Sequence, residues 1–263
     1  VVALSNAFAK KGFVCVSIDY RTGMWPIDSI NAVKAVVRSV QDMKAAVRYF
    51  YKDKQTTNTY KIDTNNIIIG GSSAGAITAL HMAYLDKSCE LEAYISSSDL
   101  SAMGGLEGTS GNPGYSSKSH AVLSLAGALA SYGWLEAGDV PFCSLQGDED
   151  NVVPYNRGVA SVSGFDVIYM DGSRVLKEQA DLIGVQNNLY THYGAGHSPY
   201  AAGGAYMDTT INFLTDFLVD HLGCSEPILQ AENTPSGSVD LYTLTYCGLG
   251  LDDNNLQITT SIY

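Results

Sequence analysis

The chain has 263 residues, is 46% hydrophobic and carries a formal net charge of −12, which is enough for one large α/β domain with a substantial core. Apart from Lys10-Lys11, its lysines and arginines stand singly, so the sequence offers no basic face for nucleic acid or for an anionic membrane surface. No apolar run approaches the ~18 residues that span a bilayer, and the acidity reads as a solubility device.

Taken in order, Val1 to Lys11 place apolar residues at helical spacing and stop at Lys10-Lys11-Gly12, a helix exit. "FVCVSIDY" (Phe13 to Tyr20) is rich in β-branched residues and predicts a buried strand. Asp28 before Ser29 offers an N-cap for a long helix that runs to about Lys52. A polar loop then leads into "IIIGG" (Ile67 to Gly71), a short buried strand, and a helix from about Ser73 to Leu85. The Ser- and Gly-dense stretch from Leu91 to His120 reads as loop, and Ser110 to Lys118 is expected to approach the turn at Ser73. "AVLSLAGAL" from Ala121 and "PFCSLQG" from Pro141 read as strands. "GSRVLKEQADLIG" from Gly172 is an amphipathic helix, "NNLYTHYG" from Asn187 a strand, and the segment from Gly203 to Gly223 a final helix. Strands alternating with helices imply a mostly parallel sheet covered on both faces. Residues 1–222 form this α/β domain, and 223–263 read as a linker or small β extension.

The chemistry concentrates at three places. Gly71-Ser72-Ser73-Ala74-Gly75 fits G-x-S-x-G directly between a strand and a helix. A strained turn there pushes the Ser73 hydroxyl out over the carboxyl end of the sheet, and glycines on either side let the turn close. The Ala74 amide, at the start of the helix, is placed to donate to an oxyanion. A serine needs a base and the base needs an orienting carboxylate. "DEDNVVPY" puts Asp148, Glu149 and Asp150 just past one later strand, and "AGHSPY" puts His197 just past another. His81 reads as core or surface; His192, inside a strand, reads as structural and is the substitute base. Ser72 is the turn residue before the nucleophile. Trp134, Tyr155 and Trp25 stand in loops that could shape a substrate pocket, with Ser72 as a further candidate contact.

These motifs resemble the α/β-hydrolase superfamily and, within it, the carboxylesterase/lipase branch: "FAKKGFVCVSIDYR", "IIIGGSSAGA" as the nucleophile elbow, "QGDEDNVVPY" as the acid loop and "GAGHSPY" as the histidine loop. The resemblance covers most of residues 1 to 222. It implies a serine esterase with a Ser73, Asp150, His197 triad. Asp150 is the preferred acid because it stands three residues before Val153-Pro154, where the family's acid loop carries its carboxylate. The family's His-Gly-Gly oxyanion loop and leading strands would lie before the first helix, where this sequence opens, so the sheet is expected to lack its N-terminal strands.

The expected function is therefore hydrolysis of a small-molecule or polymer-borne ester through an acyl-enzyme. Such chemistry requires no cofactor, and neither the cysteines nor the histidines show metal-ligand spacing. A prolyl-oligopeptidase-type peptidase and a non-catalytic hydrolase-like binding protein are the alternatives. In the tail, Cys224 and Cys247 can bridge in an oxidising compartment. "GLDDNNLQITTSIY" resembles the entry to the C-terminal sorting domain of secreted Bacteroidetes proteins, which implies a secreted or periplasmic location.

Overall fold

The computed structural model describes residues 2–223; the expected tail extension, the Cys224–Cys247 bridge and the sorting-domain resemblance lie outside the described residues. In chain order the elements are α1 (Val2–Ala9), α2 (Ser29–Gln55), β1 (Ile68–Ser72), α3 (Ala74–Tyr84), α4 (Ser97–Ala102), β2 (Ala121–Leu125) and β3 (Ala128–Leu129). There follow β4 (Phe142–Gly147), β5 (Arg157–Val162), β6 (Phe165–Gly172), α5 (Ser173–Ile183), β7 (Asn187–His192) and α6 (Gly204–Leu222).

The main sheet is parallel, with strand order β1-β2-β4-β7. Its central strands read as near-continuous apolar runs because helices cover both faces. Ala121, Leu125, Cys143 and Leu145 point to one face, where they pack against Phe8 of α1 and Leu214, Phe217 and Leu218 of α6. Ile69, Val122 and Phe142 point to the other, against the apolar stripes of α2, α3 and α5. The helix α2 starts where the sequence places it, because the Asp28 carboxylate accepts the Asn31 amide at 2.7 Å.

Several stretches differ from expectation, and a short helix, α4, lies inside the stretch expected as loop. Phe13 to Tyr20 pairs with no strand; Val14 and Val16 are half exposed. A cavity of about 420 Å³ separates this segment from β1, with Phe13, Val14 and Ile18 on one wall and Ile67 to Gly70 on another, so no ladder of hydrogen bonds forms across it. "AVLSLAGAL" is two strands rather than one. Ala126 takes φ 54°, and a Cβ on Gly127 would lie 2.5 Å from Ser124 Oγ and 2.7 Å from Ala76 Cβ. The chain therefore turns out of the main sheet at that point, and β3 joins a second sheet of order β3-β6-β5, antiparallel throughout. The hairpin β5–β6 has no counterpart among the expected elements. Its signal is Ser163-Gly164, both at positive φ (52° and 82°), the geometry that two-residue hairpin turns favour.

The loop of residues 110–118 is held away from Ser73. On α2, Lys44 and Arg48 are buried, yet both reach Glu107, at 2.5 and 3.0 Å. Arg48 also donates to the carbonyls of Gly111 (2.8 Å) and Ser110 (2.6 Å). A guanidinium satisfying several carbonyls at once fixes the loop along α2. Replacing Arg48 by Met keeps the buried stem but leaves those acceptors unpaired. The expected result is a loss on the order of 2 kcal/mol in denaturant unfolding, with new protease cleavage between residues 107 and 118.

Candidate active site

Strand β1 and helix α3 meet in a corner with no room for a side chain. A Cβ on Gly71 would sit 2.4 Å from the carbonyl carbon of Gly75. Gly71 is therefore glycine because the backbones touch, whereas a Cβ on Gly75 would meet nothing within 4 Å. Between them Ser73 is forced to φ 54°, ψ −119°, a conformation that costs a non-glycine residue about 1–3 kcal/mol. Its backbone is anchored on both sides: the Ser73 amide donates to the Leu125 carbonyl (2.8 Å), and its carbonyl accepts the Ile77 amide (2.9 Å). The Ser73 side chain makes no capping bond to α3 and points elsewhere. Ala74 is the first residue of α3, so its amide is one of the donors a helix start leaves without an internal partner.

The Ser73 hydroxyl lies 2.9 Å from His197 Nε2, and His197 Nδ1 lies 2.7 Å from Asp150 Oδ2. A carboxylate only accepts, so Nδ1 carries the proton and Nε2 of the neutral ring accepts from Ser73. Asp150 is almost wholly buried. Its Oδ1 accepts the amides of Val152 (2.9 Å) and Val153 (3.0 Å), and Gln146 Nε2 donates to Oδ2 at 3.2 Å. Burial works to raise the Asp150 pKa. The bonds from His197, Val152 and Val153 outweigh it and hold the carboxyl below its ordinary value.

The acid and histidine loops are locked together at the ends of adjacent parallel strands. A Cβ on Gly147 would fall 2.1 Å from the Ala195 carbonyl oxygen, and the Glu149 amide donates to that same oxygen (3.0 Å). Asp148 is occupied differently: it accepts the Gly194 amide at 2.7 Å, clamping the turn before His197. Glu149 bonds the histidine loop through its backbone. His192 packs its ring between Tyr190 and Tyr206 (4.8 and 5.2 Å between centroids).

Ser72 lies 2.7 Å from the Tyr200 hydroxyl, which is also 3.0 Å from Ser198 Oγ. A buried tyrosine thus ties the elbow to the residue after His197. Trp134, nearly buried, lines a chamber of about 240 Å³ that Ser73 also lines. Tyr155 does not reach that chamber. Its hydroxyl is held 2.5 Å from Thr191 Oγ1, and it lines a separate cavity with Asp148, Arg174 and Tyr193. Trp25 is 85% exposed and lines no wall of the chamber.

Sequence reasoning missed Gln146, Tyr200 and the chamber walls that β5 and β6 supply. Gln146 is fully buried; besides Asp150 it contacts the Val153 carbonyl and accepts from Ser173. Nothing in a one-dimensional pattern marks a glutamine inside an apolar strand as a carboxylate support. Among the described residues no group of three or more His, Cys, Asp or Glu side chains could hold a metal, and no helix is long and apolar enough to cross a membrane.

A parallel sheet sandwiched by helices, with a serine on a strained strand-to-helix elbow, defines an α/β-hydrolase fold. More particularly, the family model described as BD-FAE matches residues 1–104, the part of the chain that carries the elbow. The fold resembles a thermophilic esterase from the Planctomycetes species Thermogutta terrifontis with propionate bound. That match has 20% identity over 83% of this chain and 75% of that chain, with TM-score 0.60. It also resembles a truncated carbohydrate esterase from gut microbiota, at 23% identity over 80% of this chain and 76% of that one, with TM-score 0.55. Thermogutta terrifontis esterase 2 phosphonylated by cyclosarin matches at 19% identity, 77% and 69% coverage and TM-score 0.53. No curated protein sequence matches the chain.

Two outcomes follow from the geometry. Gly71→Ala forces the elbow apart and is expected to lower the unfolding free energy by about 2 kcal/mol or more, read by denaturant titration. The depressed Asp150 pKa means that its contribution to stability is complete above the unfolded-state carboxyl value of about 4. That contribution is lost as pH falls through the lower folded value. Asp150→Asn is expected to flatten that acid limb of the stability curve relative to the parent protein.

Proposed function

We propose that this protein is a serine hydrolase that cleaves carboxylic esters through an acyl-enzyme. The observation that carries the reading is the unbroken relay from Ser73 Oγ through His197 to the buried Asp150 carboxylate. Ser73 attacks the ester carbonyl carbon while His197 Nε2 takes the hydroxyl proton, and the negative charge moves to the carbonyl oxygen. Asp150 holds the ring in the required tautomer and stabilises the imidazolium that forms. The Ala74 amide donates to the oxyanion, and the positive end of α3 favours the charge there. Collapse of the tetrahedral intermediate expels the alcohol, which takes its proton from His197. Water then attacks the acyl group with His197 as base, releasing the acid and restoring Ser73. The esterase names of the structural neighbours and the BD-FAE match support the ester class. A secreted or periplasmic location remains part of the proposal and rests on the sequence of the tail alone.

The test is hydrolysis of short-chain p-nitrophenyl esters. Ser73→Ala is expected to abolish turnover, and full activity in that variant would sink the assignment. Asp150→Asn should reduce kcat by about 10⁴-fold, the scale seen when the orienting acid of such a triad is neutralised. Asp148→Asn, which removes only a loop clamp, should stay within a few-fold of the parent.

A further inference from the structure

The chamber behind Ser73 runs along one face of α3. Ser73, Ala74, Ile77, Thr78 and His81 all line it, at the three- and four-residue intervals that put side chains on one helix face. His81 therefore stands eight residues from the nucleophile, about 12 Å of helix rise. The walls are almost wholly apolar, and the hydroxyls beside His81 are engaged. Thr78 Oγ1 donates to the Ala74 carbonyl at 2.8 Å and lies 2.8 Å from Ser39 Oγ. The Tyr94 hydroxyl donates to the Ala130 carbonyl at 3.3 Å.

His81 is different. It is 3% exposed, and burial pushes its pKa down to about 4, so the ring is neutral near pH 7. Its Nδ1 lies 2.7 Å from the Ile77 carbonyl, which can only accept, so Nδ1 carries the proton and Nε2 presents a bare lone pair. Among the described residues nothing donates to that lone pair. The His81 ring lines the chamber, and among the described residues Nε2 is not one of the sealed, unpartnered polar atoms. The ring is held edge-on to Trp134 (5.6 Å, 83°), which packs edge-on to Tyr94 (5.9 Å, 76°), so the acceptor has a fixed position in an apolar end wall.

We infer that His81 is the specificity-determining residue of this chamber, accepting at Nε2 a hydrogen bond from a hydroxyl group at the end of an apolar arm of the ester. A carboxylate brings no proton to the lone pair, and an ammonium would lose its hydration in an apolar space. A plain methyl end leaves Nε2 unpaired, which is how a polar site rejects an analogue lacking its hydroxyl. The inference rests on the ester-hydrolase reading and is separable from it by experiment.

Two matched substrate pairs test it: p-nitrophenyl hexanoate against its omega-hydroxy counterpart, and hexyl acetate against the mono-acetate of the corresponding diol. In at least one pair the parent protein is expected to show about tenfold higher kcat/KM for the hydroxyl-ended ester, the worth of one hydrogen bond. Folded His81→Leu is expected to lose or invert that preference while still hydrolysing the plain ester. Esters turned over with no preference in either pair would overturn the role of His81 and leave the hydrolase reading standing. So would a preference retained in folded His81→Leu. Failure to turn over any ester would remove the hydrolase reading and this inference with it. Even if the variant does not fold, turnover without preference in the parent protein overturns the inference.

Discussion

The backbone contact between Gly71 and Gly75 is the constraint on which the rest of the site depends. Because β1 runs into α3 with no space for a side chain, the residue between them cannot relax to an ordinary conformation. Ser73 absorbs the strain with a positive φ and in return projects its hydroxyl away from its own helix. A serine in a relaxed N-cap would turn that oxygen onto the amides of the first turn. Here those amides stay free, and the oxygen is aimed at His197.

Parallel pairing then brings the partners to the serine. Neighbouring strands that run the same way deliver their following loops to one edge of the sheet. The loops after β4 and β7 are fused there by a second glycine contact, Gly147 against the Ala195 carbonyl. The buried Asp150 is tolerable because two amides, the Gln146 side chain and the His197 ring satisfy its oxygens. Tyr200 completes the bracing from the other side by joining Ser72 to Ser198.

The legibility of this molecule in one dimension varies by element. The strand read at Ile67 to Gly71, the long helix capped by Asp28 and the alternation that implies a parallel sheet are written in local patterns and caps, and the structure carries them, the strand one residue later at each end. The Phe13 to Tyr20 segment has strand composition but no pairing, because composition describes a residue's preference and not whether a neighbour is within hydrogen-bond reach. The β5–β6 hairpin is signalled only by Ser163-Gly164, a two-residue cue weaker than the surrounding α/β alternation. Tyr155 and residues 110–118 sit in sequence as well as Trp134 does for lining a pocket. Thr191 holds the first elsewhere and Arg48 holds the second against α2.

The sequence by itself determined the α/β alternation, the elbow motif at Ser73 and the order in which an acid and a histidine follow it. These are local signals, set by residue size, backbone freedom and periodicity. Only the tertiary structure decided which of three neighbouring acids faces His197, which aromatic lines the chamber and which buried polar groups support the relay. Asp148, Glu149 and Asp150 are nearly equivalent in sequence. They differ because Gly194 takes Asp148, and because the turn that lets Val152 and Val153 donate to Asp150 aims its other oxygen at the imidazole. That choice depends on contacts between residues 47 positions apart, and no local propensity encodes them.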